Sequence, residues 1–427
     1  MPVVSEKSGN QLIIIGNGMA SNRLLEELGT HHPFDQILIF SNEAVAHYNR
    51  IMLSPLLAGE TTLTQITPHD EDWYQQRRAH ILLNTAVENI DIQAKRLQSS
   101  DDEHHHFSQL VIATGSQSFI PNLTGADSRN VSGFRDIRDV DQLLTRLPEL
   151  KQATVIGGGL LGVEAAVGLK TQGVDVTLLH RNPVLMNRQL DAEGSILLTQ
   201  ALQQRGVDVQ TGATDIELIS DQQQVSAISY QHNNTRINIG TQAVIFATGI
   251  QPTISIAENN AILCDKGILV DERMRTSADS IYALGECCQF EQFTYGLVAP
   301  IWDQAKVLAA ELLQASSLQT STSRTNTQET PVYREQQHLT KLKVSGLDVH
   351  SVGEFNALDG DDVLTLRDDH QGIYKKVILR NNTLAGALCI GEVADSQWYF
   401  ELMRNQTNIR SIRDVLLFGK DICEPAA

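Results

Sequence analysis

Short apolar runs of strand length recur along this chain of 427 residues, and several end in small residues and glycine. The first, residues 12–15, follows the polar stretch 1–10 and runs into Gly16. Past the turn 16–21, Leu24, Leu25 and Leu28 share one face of a helix predicted over 22–28, and 37–40 reads as the next strand. Strand, glycine turn, helix and strand at this length predict a βαβ unit. The plan returns in residues 153–156, a turn at 157–162, a helix through Glu164, Ala165 and Ala166, and a strand over 174–179. Three more runs end the same way. Residues 110–112 lead into Ala113, Thr114 and Gly115, residues 243–246 into Ala247, Thr248 and Gly249, and residues 281–284 into Gly285 and Glu286. Such strand ends let backbone approach a ligand or cross to another domain.

The two Ala-Thr-Gly segments bracket the second βαβ unit, which predicts nesting. Residues 1–120 and 250–315 form one domain, and residues 121–249 form a second one inserted in it. Residues 316–330 are rich in Ser, Thr and Gln without periodicity and read as an exposed loop, so a linker is set at 316–334. In the last part, 335–427, residues 341–354, 363–366 and 374–379 alternate like strands and 396–403 look helical, giving a small α+β domain.

Both turns carry a dinucleotide fingerprint. The second is complete, with Gly157, Gly159 and Gly162; the first has Gly16 and Gly18 but Ser21 in third place. The first glycine allows the tight bend, the second lets backbone approach a pyrophosphate, and the third lets helix and strand pack closely. The pyrophosphate sits on free N–H groups at the helix start, here Met19 and Ala20 in the first copy and Leu161 in the second. Glu43, or Asn42, is placed to hold an adenosine ribose. After the second fingerprint no such acid follows. His180 and Arg181 stand there, either as cations favouring the extra phosphate of NADPH or as ordinary solvated residues. Two fingerprints in one chain suggest a flavin and a nicotinamide held face to face, with hydride passing between them. Glu164 either reaches the nicotinamide or is a first-turn acid favoured by the helix dipole. Glu286 ends a strand and can accept hydrogen bonds from a ribityl chain. Leu297, Val298 and Ala299 lead into a helix near 298–301, with Pro300 suited to its first position; that helix start can stabilise the negative charge of a reduced flavin. The alternative is an ordinary strand end and helix start.

Composition narrows the classes. A net charge of −18 argues against nucleic acid and leaves either a merely soluble surface or steering towards a basic partner. No apolar run approaches the roughly 18 residues of a membrane span, and the N-terminus does not read as a leader. The five cysteines are sparse, with no C-x-x-C, which fits a reducing cytoplasm; Cys287 and Cys288 read as packing thiols. His104, His105 and His106 fit neither one helix face nor one strand face, so they read as a hairpin loop and no metal site is expected.

These residues resemble the two-dinucleotide FAD/NAD(P)H oxidoreductases of the pyridine nucleotide-disulfide oxidoreductase superfamily, which include glutathione reductase and the rubredoxin and ferredoxin reductases. Glutathione-reductase relatives carry C-x-x-x-x-C soon after the first βαβ unit. Residues 47–60 of this chain (His-Tyr-Asn-Arg-Ile-Met-Leu-Ser-Pro-Leu-Leu-Ala-Gly-Glu) hold no cysteine, which excludes a dithiol relay. That stretch, which includes the candidate cofactor contact Arg50, looks like the flavoprotein part of the NAD(P)H nitrite reductase large subunit, as do 185–191 and 295–302. Residues 341–346 and 374–376 resemble its small C-terminal domain. Rubredoxin-reductase-like proteins often place a lysine where Pro55 stands. Histidine at the position of His180 is compatible with NADH in the family, which moderates the lean to NADPH. The resemblance implies FAD, NADH or NADPH, and electron delivery to a separate iron–sulfur or rubredoxin-type protein. The resemblance makes a nitrate or nitrite assimilation reductase the favoured acceptor; the cysteine-rich modules of full nitrite reductases are not among these residues, so the chain itself is not expected to reduce nitrite. A rubredoxin or ferredoxin reductase is the alternative, and a non-catalytic flavin-bound redox sensor is the reading of another class. The expected fold is α/β: two Rossmann-like dinucleotide-binding domains plus the α+β domain, as a cytoplasmic monomer or homodimer.

Overall fold

The computed structural model describes residues 9–320, 331–344 and 346–423. It divides into two compact units. Residues 1–52, 62–117 and 250–336 make the first; residues 53–61, 118–249 and 337–427 make the second.

The first unit is built on five parallel strands in the order Ile281–Ala283, Gln109–Ile112, Gln11–Ile15, Gln36–Phe40 and Ala79–Leu82. Leu12, Ile13, Ile14, Ile37 and Ile39 are fully buried, as strands of a parallel sheet covered on both faces must be. The helix Met19–Leu28 turns Leu24, Leu25 and Leu28 inward and packs against the helix Val298–Thr320. The second unit repeats the arrangement. Its parallel sheet runs Asp208–Thr211, Asp175–His180, Gln152–Ile156, Ala243–Phe246, Val131–Ser132, with the helix Leu160–Thr171 following the central strand. In each sheet the first strand of the βαβ unit lies between its successor and a strand from much later in the chain. That is a switch point, where ligands bind outside the carboxyl ends of the strands.

The second unit also holds a five-stranded antiparallel sheet, Thr340–Val344, Leu347–Gly353, Thr383–Ile390, Ile373–Arg380, Asp362–Asp368, against which the helix Ser396–Arg404 packs Trp398, Tyr399 and Leu402. Within this unit Asp191 caps the helix Ala192–Gln204 by accepting the Gly194 N–H, and also accepts from Tyr374 Oη at 2.9 Å and Lys376 Nζ at 2.8 Å. Arg367 pairs with Glu193.

Two expectations are corrected, and one strand is added. His104–His106 is not a loop but an edge strand paired with Arg96–Ser99; His105 packs edge-on against Phe40, which draws the middle histidine inward. The linker is shorter than expected, since the helix continues to Thr320 and Tyr333 is buried, its N–H bonded to the Glu272 carbonyl. The rest of that linker, residues 321–330, lies outside the described residues. The strand Thr383–Ile390 was not foreseen because Gly386 breaks its alternation; a Cβ there would lie 1.8 Å from the Glu354 carbonyl oxygen, so only glycine fits.

Candidate dinucleotide-binding sites

In the first unit the strand Gln11–Ile15 ends at Gly16, whose φ of +107° suits glycine. A Cβ on Gly16 would stand 2.3 Å from the Ala113 carbonyl oxygen, so the two loops can meet only without a side chain. Gly18 is the N-cap of the helix and is extended. A Cβ on Gly18 would find no heavy atom within 4 Å. The backbone of Met19 and Ala20 therefore begins a helix beside open space, with no side chain capping it. Ser21 is fully buried, and its Oγ donates to the Gly16 carbonyl at 2.6 Å, which is how this turn accepts a side chain in the third glycine place.

The second unit has the same construction. Gly157 has φ +123°, and a Cβ on it would lie 2.2 Å from the Ala247 carbonyl oxygen. Gly159 is the extended N-cap with open space beside it, and Leu161 lies in the first helical turn. Gly162 needs its bare backbone, since a Cβ would approach the Gly157 oxygen to 1.8 Å. Each of the two cradles is a space that a Cβ would fill, at the start of a helix of ten residues or more. That geometry fits a pyrophosphate.

The remaining candidates are placed as follows. Glu43 lies just past the strand Gln36–Phe40, accepts from Tyr48 Oη at 2.7 Å and pairs with Arg50, whose guanidinium stands over the Tyr48 ring. Asn42 is exposed. Thr114 donates to the Thr253 carbonyl, and Gly115 accepts from the Thr253 N–H. In the second unit Thr248 donates to the Phe119 carbonyl and Gly249 accepts from the Phe119 N–H, so the twin segments are anchored alike. A Cβ on Gly285 would meet Ala20 Cβ at 2.9 Å, which brings this turn against the first fingerprint; Glu286 accepts from Ser116 Oγ at 2.7 Å. Val298 starts its helix and Ala299 is half-buried, while Leu297 before it is 39% exposed. Pro300 is the third residue of that helix rather than the first, still within the turn whose N–H groups lack helical partners.

Two readings change. Glu164 is the fifth residue of its helix, not a first-turn acid, so the dipole account does not hold. It accepts from Ser54 Oγ at 2.9 Å, and burial pushes its pKa up to about 7, against a smaller downward pull from that hydroxyl. His180 is not a cation. Its Nδ1 accepts the Gly158 N–H at 3.0 Å, which needs an unprotonated nitrogen, and burial lowers its pKa further from the ordinary value. Arg181 is exposed. Residue type and spacing alone do not single out Ser54, Ser116, Gln304, whose Oε1 accepts from the Gly285 N–H, or His47. His47 and Ser54 fall inside the 47–60 stretch that carried the resemblance.

All five cysteines are free thiols. Cys287 and Cys288 are fully buried with their pKa values raised by that burial. Among the described residues no group of three or more His, Cys, Asp or Glu is placed to hold a metal ion, and no helix is long and apolar enough to cross a membrane.

Paired parallel sheets, each with a glycine cradle at its switch point, define a two-dinucleotide fold. The profile of the pyridine nucleotide-disulphide oxidoreductases matches residues 10–307, and that of the rubredoxin NAD+ reductase C-terminal domain matches 339–407. The chain belongs to the pyridine nucleotide-disulphide oxidoreductase family, whose members bind FAD and NAD(P)H. It is 36% identical over 400 residues to nitrite reductase [NAD(P)H] of Bacillus subtilis, covering 93% of this chain and 48% of that one. It is 32% identical over 416 residues to the assimilatory nitrate reductase electron transfer subunit of the same organism, covering 97% and 51%. The chain thus spans about half the length of these relatives. The fold matches NADH:rubredoxin oxidoreductase from Clostridium acetobutylicum with a TM-score of 0.76 at 21% identity, over 96% of this chain and 99% of that one.

Proposed function

We propose that this chain is an FAD-dependent oxidoreductase that takes hydride from NAD(P)H and delivers electrons to a separate redox protein. The observation that carries this reading is the twin cradle: two helix starts, each opened by a bare N-cap glycine, Gly18 and Gly159. FAD is assigned to the unit of Gly16 and Glu43, and NAD(P)H to the unit of Gly157 and His180. The bound pair would supply a hydride donor and an acceptor that can release electrons singly, a step needing alignment more than acid or base. Around it, the Ser21–Gly16 hydrogen bond holds the first turn, Glu43, steadied by Tyr48 and Arg50, would hold the adenosine ribose, and Glu164 takes up a proton near neutral pH. Neutral His180 removes the argument for NADPH that its charge would have made.

A nitrate or nitrite assimilation reductase is the favoured acceptor, supported by the relatives named above. The matched rubredoxin reductase C-terminal domain favours a rubredoxin-type protein as the second reading. The free, sparse thiols support a cytoplasmic location. The test is anaerobic rapid mixing of the FAD-reconstituted protein with NADH and with NADPH, then with nitrite and nitrate reductase modules, rubredoxin and ferredoxin in turn. Rapid bleaching of the flavin band and reoxidation by one acceptor class are expected. A chain that stays colourless after incubation with FAD sinks the proposal. Slow bleaching into a stable charge-transfer complex would make the protein a sensor instead.

A further inference from the structure

The helix Val298–Thr320 buries Ile301, Ala305, Leu308 and Leu312 along one stripe, and Gln304 stands in that stripe fully buried. Helical spacing calls for an apolar side chain there, and an amide is costly to bury unless it is hydrogen-bonded. Its Oε1 accepts the Gly285 N–H at 3.0 Å, and Cys288 Sγ lies 3.7 Å from the same oxygen. The strand Ile281–Ala283 is fixed up to Leu284, whose N–H bonds to the Ile112 carbonyl. Gly285 then takes φ +89°, a conformation that glycine enters freely and has no side chain of its own to hold. The Gln304 oxygen fixes the peptide that enters this turn. The next residue is Glu286, whose carboxylate accepts from Ser116 Oγ. Gln304 also belongs to the helix that opens at Val298 and Ala299. One buried amide therefore ties together the two elements that carry the flavin candidates Glu286, Val298 and Ala299.

We propose that Gln304 is a positioning residue for the flavin: by holding the Gly285 N–H it sets the Gly285–Glu286 turn, and with it the Glu286 carboxylate, for the ribityl chain of FAD. The inference rests on the assignment of FAD to this unit and of Glu286 to the ribityl chain. Gln304 acts only through the turn. Without its oxygen the Gly285 N–H is left unpaired, and a glycine free to change φ no longer presents the carboxylate in one place.

The test is calorimetric titration of the apoprotein with FAD and with ADP, which lacks the ribityl chain, for wild type, Gln304→Met, Glu286→Ala and the double variant. Methionine keeps the bulk of the side chain and removes the acceptor. Gln304→Met and Glu286→Ala are each expected to weaken FAD about tenfold or more while ADP stays within about threefold. On the Glu286→Ala background, Gln304→Met should cost FAD no more than about twofold further, because a residue that acts through another adds nothing once that one is gone. Gln304→Glu keeps an acceptor oxygen for the Gly285 N–H and is expected to hold FAD within about threefold of wild type, which decides the matter if Gln304→Met does not fold. Equal losses of FAD and ADP, independent losses in the double variant, a change confined to the apoprotein melting temperature, or Gln304→Glu falling as far as Gln304→Met each overturn the inference and leave the FAD assignment intact. Failure of the wild type to bind FAD removes that assignment, and the inference with it.

Discussion

At Glu164, burial and a single hydroxyl compete over one proton. Burial wins, and the carboxyl titrates near 7 instead of 4.5. Because the folded pKa lies above the unfolded one, the folded state holds the proton longer. Its contribution to stability is complete below about pH 4.5 and is lost as pH rises through 7, a span of at most about 3 kcal/mol. Glu164→Gln is expected to flatten that part of the stability curve, read by urea unfolding between pH 5 and 8. Ser54→Ala should push the midpoint higher, since it removes the one group that favours the carboxylate. If Glu164→Gln leaves the pH slope unchanged, the carboxyl titrates elsewhere. At His180 burial again favours the neutral form, here by lowering the pKa. The Gly158 N–H aimed at Nδ1 adds to that burial in keeping the ring uncharged, which no inspection of residue type could have foreseen.

At the scale of elements, the two glycines of the first turn do different work and should separate experimentally. Gly16→Ala would drive a methyl into the Ala113 carbonyl and strain a positive φ, so it should destabilise the fold by several kcal/mol. Gly18→Ala meets nothing in the protein and has an ordinary extended backbone, so thermal melting should be unaffected while FAD affinity falls at least about tenfold. Equal loss of stability in both variants would contradict the open cradle. These turns were legible because their strands are continuous apolar runs ending on glycine, a pattern that burial on both sheet faces requires. The antiparallel parts were harder to read. Thr214–Asp221 and Thr235–Gly240 are largely exposed, and their alternation is short, Ile216 with Leu218 and Ile237 with Ile239 turned inward. Their signal lay in the turns: Asn233 and Asn234, like Asn381 and Asn382, both take positive φ, as two-residue hairpins demand. The residues beyond the fingerprints, Ser54 against Glu164 and Ser116 against Glu286, lie 110 and 170 positions apart, and only the fold brings them together.

For the molecule as a whole, the C-terminal sheet is fastened within its unit by Asp191. Two stretches that looked related to the same family in sequence, 185–191 and 374–376, turn out to meet there. Lys376→Met would leave a 7%-exposed carboxylate with one cation fewer, and a loss of about 2–4 kcal/mol is expected. Tyr374 and the Gly194 N–H still hold Asp191, so unfolding should broaden or split instead of simply shifting, as followed by hydrogen exchange of residues 340–404. A single sharp transition at wild-type stability would contradict this. The division into two units has a further consequence, for synthesis. The chain passes from one unit to the other at 52/53, 61/62, 117/118, 249/250 and 336/337. All five strands of the second parallel sheet have been made by residue 246, whereas the first sheet waits for its edge strand at Ile281–Ala283. On the ribosome the later-starting sheet can therefore close first, while the earlier fingerprint is held in an incomplete sheet until its edge strand emerges.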